Sequence, residues 1–139
     1  MIRLPYNGPI GPPFTVPFFP EGTNISNEDF PNTKSIYESL SNFIMQKGGT
    51  VEYSADGSYE NKPDTVIFVY GETPYAEGEG DINNLNFSIN NSNLLRKMKM
   101  FKKNEIPVVS LFISGRPLIV DSEIKSSDSF LSIWLPGTE

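Results

Sequence analysis

The stretch TVIFVYGETPYAEGEGD, residues 65–81, contains the features that decide the fold. Its first part, TVIFVY, is a short and almost wholly apolar run, which is typical of a β-strand buried on both faces. The remainder, GETPYAEGEGD, has four carboxylates and three glycines but no lysine or arginine. Such a composition predicts a loop, and it leaves three alternatives open: a catalytic carboxylate, a metal site or a solvated turn.

The flanking sequence predicts further elements of the same kind. A second apolar run, PVVSLFI, predicts another buried strand, and two amphipathic patterns predict helices. One of these patterns places Ile36, Leu40, Phe43 and Ile44 on a single apolar stripe. The predicted elements in chain order are a helix over 32–47, strands over 50–53 and 65–70, a helix over 92–104, a strand over 107–113, an extended segment over 117–120, a short helix over 122–127 and a strand over 129–135.

This order predicts an α/β fold with an open, mostly parallel sheet and helices on both faces, a flavodoxin-like sandwich. An irregular arm rich in Pro and Gly is expected over residues 1–30, before the sandwich domain over residues 31–139. Because ligands of such sheets gather where the strands end, the loops after three strands are expected at one edge. Trp134, inside the last apolar run, is expected in the core.

Composition excludes several classes of function. The chain has 139 residues, a formal net charge of −6 and no basic patch beyond RKMKMFKK (96–103), which predicts a helix with a basic solvent face, so no nucleic acid partner is expected. No apolar run is long enough to span a membrane. The proline-broken start does not predict a signal peptide, which leaves the location unknown. With no cysteine and no histidine, acid–base chemistry falls to carboxylates, tyrosines or lysines.

Five segments carry a resemblance to a known family. The chain resembles the second domain of glycoside hydrolase family 3, closest to its exo-β-glucanase and β-glucosidase members. The resemblance begins near residue 14 and extends to the end of the sequence. The segments are EGTNISNEDFPNTKSIYESL (21–40), KPDTVIFVYGE (62–72), GETPYAEGEGD (71–81), IPVVSLFISGRPLIV (106–120) and SDSFLSIWLPGTE (127–139).

The resemblance implies a retaining glycosidase that acts on β-glucosides or β-glucans without a cofactor. In that family a (β/α)8 barrel carries an aspartate nucleophile, and the α/β sandwich domain lends a glutamate as general acid/base. Glu77, in the tract PYAE, matches that glutamate. No stretch here resembles the Ser-Asp-Trp run that holds the nucleophile, so a barrel is expected in cis or in trans and the isolated chain is expected to be inactive. Further sheet elements of the family's domain are also expected to be missing beyond residue 139.

Other residues are expected to assist Glu77. The acid of a retaining glycosidase must hold its proton near neutral pH, and nearby carboxylates favour that state. Glu72, Tyr75 and Asp81 are expected to support the loop. Phe14 lies where the resemblance places a tryptophan that stacks on the sugar.

Arg116, in SGRP (114–117), is expected to bind substrate or to pair with Glu72 or Asp81. No metal is expected, although a calcium site built from Glu72, Glu77, Glu79 and Asp81 is an alternative. The alternative function is a non-catalytic remnant, a sugar-binding or interaction module with the same fold.

Overall fold

The computed structural model describes residues 34–72, 75, 80–87 and 92–135. The chain divides into two compact units. The described part of the first, the sheet unit, comprises residues 52–72, 82–87 and 92–134, and the described part of the second comprises residues 34–51, 75, 80–81 and 135. The helices and strands are α1 (Ile36–Gln46), β1 (Val66–Gly71), α2 (Ser92–Lys103), β2 (Val108–Ile113), α3 (Asp121–Lys125) and β3 (Ser129–Ser132).

The three strands form one parallel sheet in the order β1-β2-β3. Val66 is opposite Val108 and Gly71 is opposite Ile113, so β1 and β2 pair over their full length. Because the strands are adjacent in sequence order and parallel crossovers are right-handed, α2 and α3 belong on the same face of the sheet. This arrangement confirms the predicted α/β fold class with an open parallel sheet. In the described part of the chain, no helix has the length and apolar character needed to cross a membrane.

The core lies between that sheet face and α2. Side chains of β1 and β2 alternate between buried and half-buried, so the predicted burial on both faces holds fully for only one face of each strand. Phe68 on β1 meets Phe101 on α2 edge to face, with ring centroids 5.7 Å apart. The buried hydrophobic cluster comprises Val66, Phe68, Tyr70, Phe87, Leu94, Met98, Phe101, Ile106, Val108 and Phe112.

The start of β3 is fastened to the start of β2 by Asp128. Its backbone N–H donates to the Val108 carbonyl at 2.7 Å, and its Oδ2 accepts the Val108 N–H at 2.9 Å. Lys102 at the end of α2 adds an ion pair to Oδ1 at 3.1 Å. The hydrogen bond from Val108 and then that from Lys102 hold the pKa of the Asp128 carboxyl below its ordinary value. One aspartate thus joins two strands and a helix.

Helix α1 belongs to the second unit and has a well-formed start. Ser35 precedes it, and its hydroxyl accepts the Glu38 N–H at 3.1 Å, a standard N-cap bond. After the helix, Gly48 takes a φ of +81°, a value that favours glycine. The predicted stripe is wrong at Phe43, whose side chain is 62% exposed.

Two other predictions are also wrong. Val51–Tyr53 is irregular rather than a strand, and both Glu52 and Tyr53 are exposed. Trp134 is not in the core: β3 ends at Ser132, and Trp134 has a φ of +54° and is 52% exposed. The left-handed turn at Trp134 breaks the alternation that would have continued a strand, so the apolar run beyond Ser132 is not buried by the sheet.

Candidate functional site

The carboxyl ends of the strands define the candidate site. Because the strands are parallel, the segments that follow Gly71, Ile113 and Ser132 start from the same edge of the sheet. Gly71 is required there, since a Cβ at this position would lie 2.1 Å from the Ile113 carbonyl oxygen. The backbone N–H of Glu72 donates to that same oxygen at 3.2 Å. The acidic loop therefore begins in contact with the end of β2.

Glu72, the first residue of that loop, has both carboxylate oxygens occupied. Its Oε1 accepts a hydrogen bond from Nε of Arg116 at 2.9 Å, and its Oε2 accepts one from the Ser114 hydroxyl at 2.6 Å. The side chains of Glu72 and Arg116 are 14% and 20% exposed, so this ion pair is largely shielded from water. Of the partners considered for Arg116, the structure shows Glu72. Substrate binding by Arg116 stays a prediction.

Ser114 is a member of this network that the sequence reasoning missed. The residue is 1% exposed and follows β2 directly. Besides the Oε2 atom of Glu72, its hydroxyl faces the Arg116 carbonyl at 2.6 Å, and it accepts the Arg116 N–H at 3.2 Å. Its position in the sequence could have indicated this role, because a small polar residue directly after a buried strand lies at the ligand edge of the sheet.

The chain returns from the acidic loop to the segment after β2. Asn86 and Ile119 form a parallel bridge, in which the Phe87 N–H donates to the Ile119 carbonyl at 3.1 Å and the Ile119 N–H donates to the Leu85 carbonyl at 2.8 Å. The Asn84 side chain accepts the Asn86 N–H at 2.9 Å and shapes the approach to this bridge. The segment 117–120, which was predicted to be extended, thus pairs with the chain that follows the acidic loop.

Phe87 anchors the chain that follows the acidic loop in the hydrophobic core. Its ring lies edge to face with Phe112, at a centroid distance of 5.1 Å, and 5.9 Å from Tyr70. The side chain is 8% exposed. The return of the loop is therefore fixed by apolar burial as well as by backbone hydrogen bonds.

In the second unit, Tyr75 contacts Gly80. A Cβ at Gly80 would lie 2.1 Å from Cδ2 of the tyrosine ring, so the ring rests on the bare Cα of the glycine. These two residues flank Glu77 in the sequence. Asp81 is exposed, and its expected support of the loop stays a prediction. Glu77, Glu79 and Phe14 lie outside the described residues.

A polar cluster lies between the middle of β2 and the residues that join α3 to β3. The Ser110 and Ser127 hydroxyls are 2.6 Å apart, and Ser127 donates to the Glu123 carbonyl at 2.8 Å. Burial raises the pKa of the Tyr70 phenol; the Ser110 hydroxyl opposes this shift and the Glu123 carboxylate adds to it. Tyr70 therefore stays protonated at neutral pH and is not suited to act as a general base.

The described residues contain no group of three or more acidic side chains arranged to hold a metal ion. The calcium alternative involves Glu77 and Glu79 and is not tested by this finding. Among the described residues, the chemistry at the edge is that of one shielded carboxylate held by a guanidinium and a hydroxyl.

The fold and this edge define a class: an α/β open-sheet domain that presents an acidic loop where its first described strand ends. The Glycosyl hydrolase family 3 C-terminal domain matches residues 14–139, and the chain belongs to this family. This family is the one predicted from the sequence resemblance.

Solved structures of similar proteins agree with this assignment. An exo-1,3/1,4-β-glucanase from a Pseudoalteromonas species is 46% identical, with a TM-score of 0.78 over 85% of this chain and 15% of that one. A β-glucosidase from Listeria innocua, 23% identical, shares the fold with a TM-score of 0.60 over 99% of this chain and 19% of that one.

A curated relative points the same way. A lysosomal β-glucosidase from Dictyostelium discoideum is 36% identical over 77 residues, which are 55% of this chain and 9% of that protein. The chain therefore spans less than one fifth of the length of each of these relatives.

Proposed function

We propose that this chain supplies the general acid/base of a retaining β-glucosidase or exo-β-glucanase, and that Glu77 is that residue. The proposal is carried by the 46% identity and TM-score of 0.78 to an exo-1,3/1,4-β-glucanase over 85% of the chain. The anchored start of the acidic loop at Glu72 supports it, because a catalytic side chain must be held by a rigid scaffold.

The proposed chemistry needs two proton transfers at the Glu77 carboxyl group. In the first step Glu77 donates its proton to the glycosidic oxygen while the nucleophile attacks the anomeric carbon, so that the aglycone leaves as an alcohol. In the second step Glu77, now ionised, takes a proton from the water that releases the sugar from the nucleophile. Glu77 is thereby protonated again, and no cofactor is consumed.

The other half of the pair is proposed to come from outside these residues. The sequence contains no Ser-Asp-Trp run, and the chain covers 15% of the β-glucanase that it resembles. A (β/α)8 barrel in cis or in trans is proposed to supply the aspartate nucleophile and most contacts to a β-glucoside or β-glucan. Phe14 is proposed as a stacking platform for the sugar.

The remaining proposed roles concern the loop. Glu72 supports its start through Ser114 and Arg116. Tyr75 supports it through Gly80. Asp81 is proposed to assist by accepting backbone N–H groups.

The alternative is a module that binds sugar or a protein partner without catalysis. This alternative applies if no barrel accompanies the chain, because a nucleophile would then be lacking. The two functions share a fold and differ in whether a nucleophile is present, so the assay must include a barrel.

The test measures hydrolysis of an aryl β-glucoside by the chain alone and with a family 3 barrel domain added. We expect turnover only in the mixture. Glu77→Ala should then slow hydrolysis by about 10²–10⁴-fold, and added azide should restore turnover of a substrate with a good leaving group. Glu60→Ala, at an exposed position of the sheet unit, is the matched control. No turnover in the mixture, or full activity of Glu77→Ala, would contradict the proposal.

A further inference from the structure

We propose that Ser114 and Arg116 are positioning residues for the acid/base: the segment 114–119 holds both ends of the loop that carries Glu77. This inference rests on the proposed function. It assigns to the SGRP motif a role distinct from binding the sugar.

The first attachment fixes the start of the loop. Glu72 bonds Ser114 at 2.6 Å and Arg116 at 2.9 Å, so its carboxylate cannot rotate without losing a charge-assisted hydrogen bond. Its backbone N–H is held by the Ile113 carbonyl at 3.2 Å. Three contacts thus determine the direction in which the chain leaves β1.

The second attachment fixes the end of the loop. Leu85 and Phe87 bond both backbone groups of Ile119, and the Phe87 ring is buried against Phe112 of β2. This attachment uses backbone groups and apolar burial, whereas the first uses side-chain polarity. The two are chemically independent, so loss of one leaves the other in place.

Both attachments lie on one short piece of chain that continues the central strand. Ser114 and Ile119 are separated by the four residues GRPL (115–118), and β2 has a strand on each side. Both ends of the loop are therefore attached to the same rigid element, and not to two elements that move separately. A misplacement of about 1 Å can cost a catalytic group about 10²-fold in rate, so such an attachment has a direct kinetic value.

Ser114 is the sharper test of the two residues. Its hydroxyl is 1% exposed and is occupied by Glu72 and by the backbone of Arg116, so it is not presented to a substrate. Any effect of its loss on catalysis must pass through the loop. Arg116→Lys serves as a second variant, because lysine keeps the charge but cannot reproduce the guanidinium geometry.

The kinetic experiment compares two β-glucosides in the presence of a family 3 barrel domain. A dinitrophenyl leaving group needs little protonation, whereas an alkyl leaving group depends on the acid. We expect Ser114→Ala and Arg116→Lys to lower kcat/KM about 10- to 100-fold for the alkyl glucoside, through kcat with KM unchanged. The kcat/KM of the dinitrophenyl glucoside should be much less affected, because kcat/KM reports only the steps up to departure of the leaving group. A general loss of fold would lower both rates equally.

The outcomes separate this inference from the proposed function. If Glu77→Ala shows the leaving-group dependence and Ser114→Ala does not, only the positioning role is overturned. If Glu77→Ala does not show it, the proposed function fails, and the positioning role fails with it. A rise in KM alone for Arg116→Lys would assign Arg116 to substrate binding. Ser39→Ala and Arg96→Lys, at exposed helix positions, are the controls.

A second measurement needs only the 139-residue chain. Hydrogen–deuterium exchange of the peptide covering residues 73–84 should quicken in Ser114→Ala and Arg116→Lys, while exchange in β1 and β2 stays as in the parent chain. Unchanged exchange of that peptide would overturn the anchoring. Faster exchange throughout the sheet would also overturn it, because the effect would then be global unfolding.

Discussion

Nε of Arg116 lies 2.9 Å from Oε1 of Glu72, a residue 44 positions earlier in the chain. Each of the two residues lies just beyond the end of one of two adjacent parallel strands. The pair therefore ties the segment after β1 to the segment after β2, at the edge where this class of sheet binds ligands.

The first prediction concerns that pair. Glu72→Ala should lower the free energy of unfolding by about 1–3 kcal/mol, because it leaves a largely shielded guanidinium without its carboxylate. Glu72→Gln should cost about 1 kcal/mol or less. Its amide oxygen can face Arg116, and the Ser114 proton can turn to the Arg116 carbonyl 2.6 Å away. Urea unfolding measures both variants, and equal losses would contradict the arrangement.

The second prediction uses two methionines of one helix. Met98 is fully buried and Met100 is 39% exposed, although they are two residues apart on α2. Met98→Ala should cost about 2–5 kcal/mol through lost burial and a cavity. Met100→Ala should stay within about 0.5 kcal/mol of the parent. Urea unfolding compares them, and similar losses would mean that α2 packs through another face.

The third prediction concerns pH and Asp128. Its folded pKa is lowered, so it stabilises the fold above the ordinary aspartate pKa of 3.8, and this contribution is lost as pH falls through the folded value. Asp128→Asn should therefore make the melting temperature fall less steeply below about pH 4. Thermal unfolding from pH 6 to pH 2 measures this slope.

Some acid sensitivity should remain in that variant. The Ser58 backbone N–H, then the Ser58 and Ser54 hydroxyls, lower the pKa of Asp56 to about 2. Asp64→Asn, at an exposed position, is the control for Asp128→Asn. An identical pH profile in Asp128→Asn and the parent would contradict the assigned role of Asp128.

The fourth prediction uses the single tryptophan. Trp134 is 52% exposed, so its fluorescence should be quenched readily by iodide and should lie close to that of free tryptophan in dilute solution. Ile133→Ala should not change this accessibility. Emission at short wavelength with poor quenching at the lowest measurable concentration would show that the ring is covered.

The strands of the sheet were predictable because their apolar runs have a single good explanation. TVIFVY and PVVSLFI are too short for core helices, and they became β1 and β2, although only one face of each strand is fully buried. The short tract TVEY met the same local criteria but forms no strand, because a strand also needs a neighbour to pair with, and four residues do not reveal one.

Individual burial was harder to predict than the elements themselves. Phe43 and Trp134 sit in patterns that favour the core, yet both are exposed. For Trp134 the reason is a left-handed φ, which no apolar pattern encodes.

The contacts of the candidate site were also only partly predictable from the sequence. The pairing of Glu72 with Arg116 was among the predictions, because both are charged and follow neighbouring strands. Ser114 was missed, since a serine has no charge to draw attention and its importance comes from being 1% exposed between two partners. The bridge between Asn86 and Ile119 joins backbone groups and leaves no signature in side-chain type.

That bridge has a consequence for engineering. With Glu72 fastened at one end and Phe87 at the other, the residues from 73 to 84 form a cassette whose boundaries are set by the fold. We expect that loop sequences from other members of the family can be exchanged between these two junctions, because no described residue from 73 to 84 belongs to the buried hydrophobic cluster. The acidic segment can therefore change while the scaffold that presents it is kept.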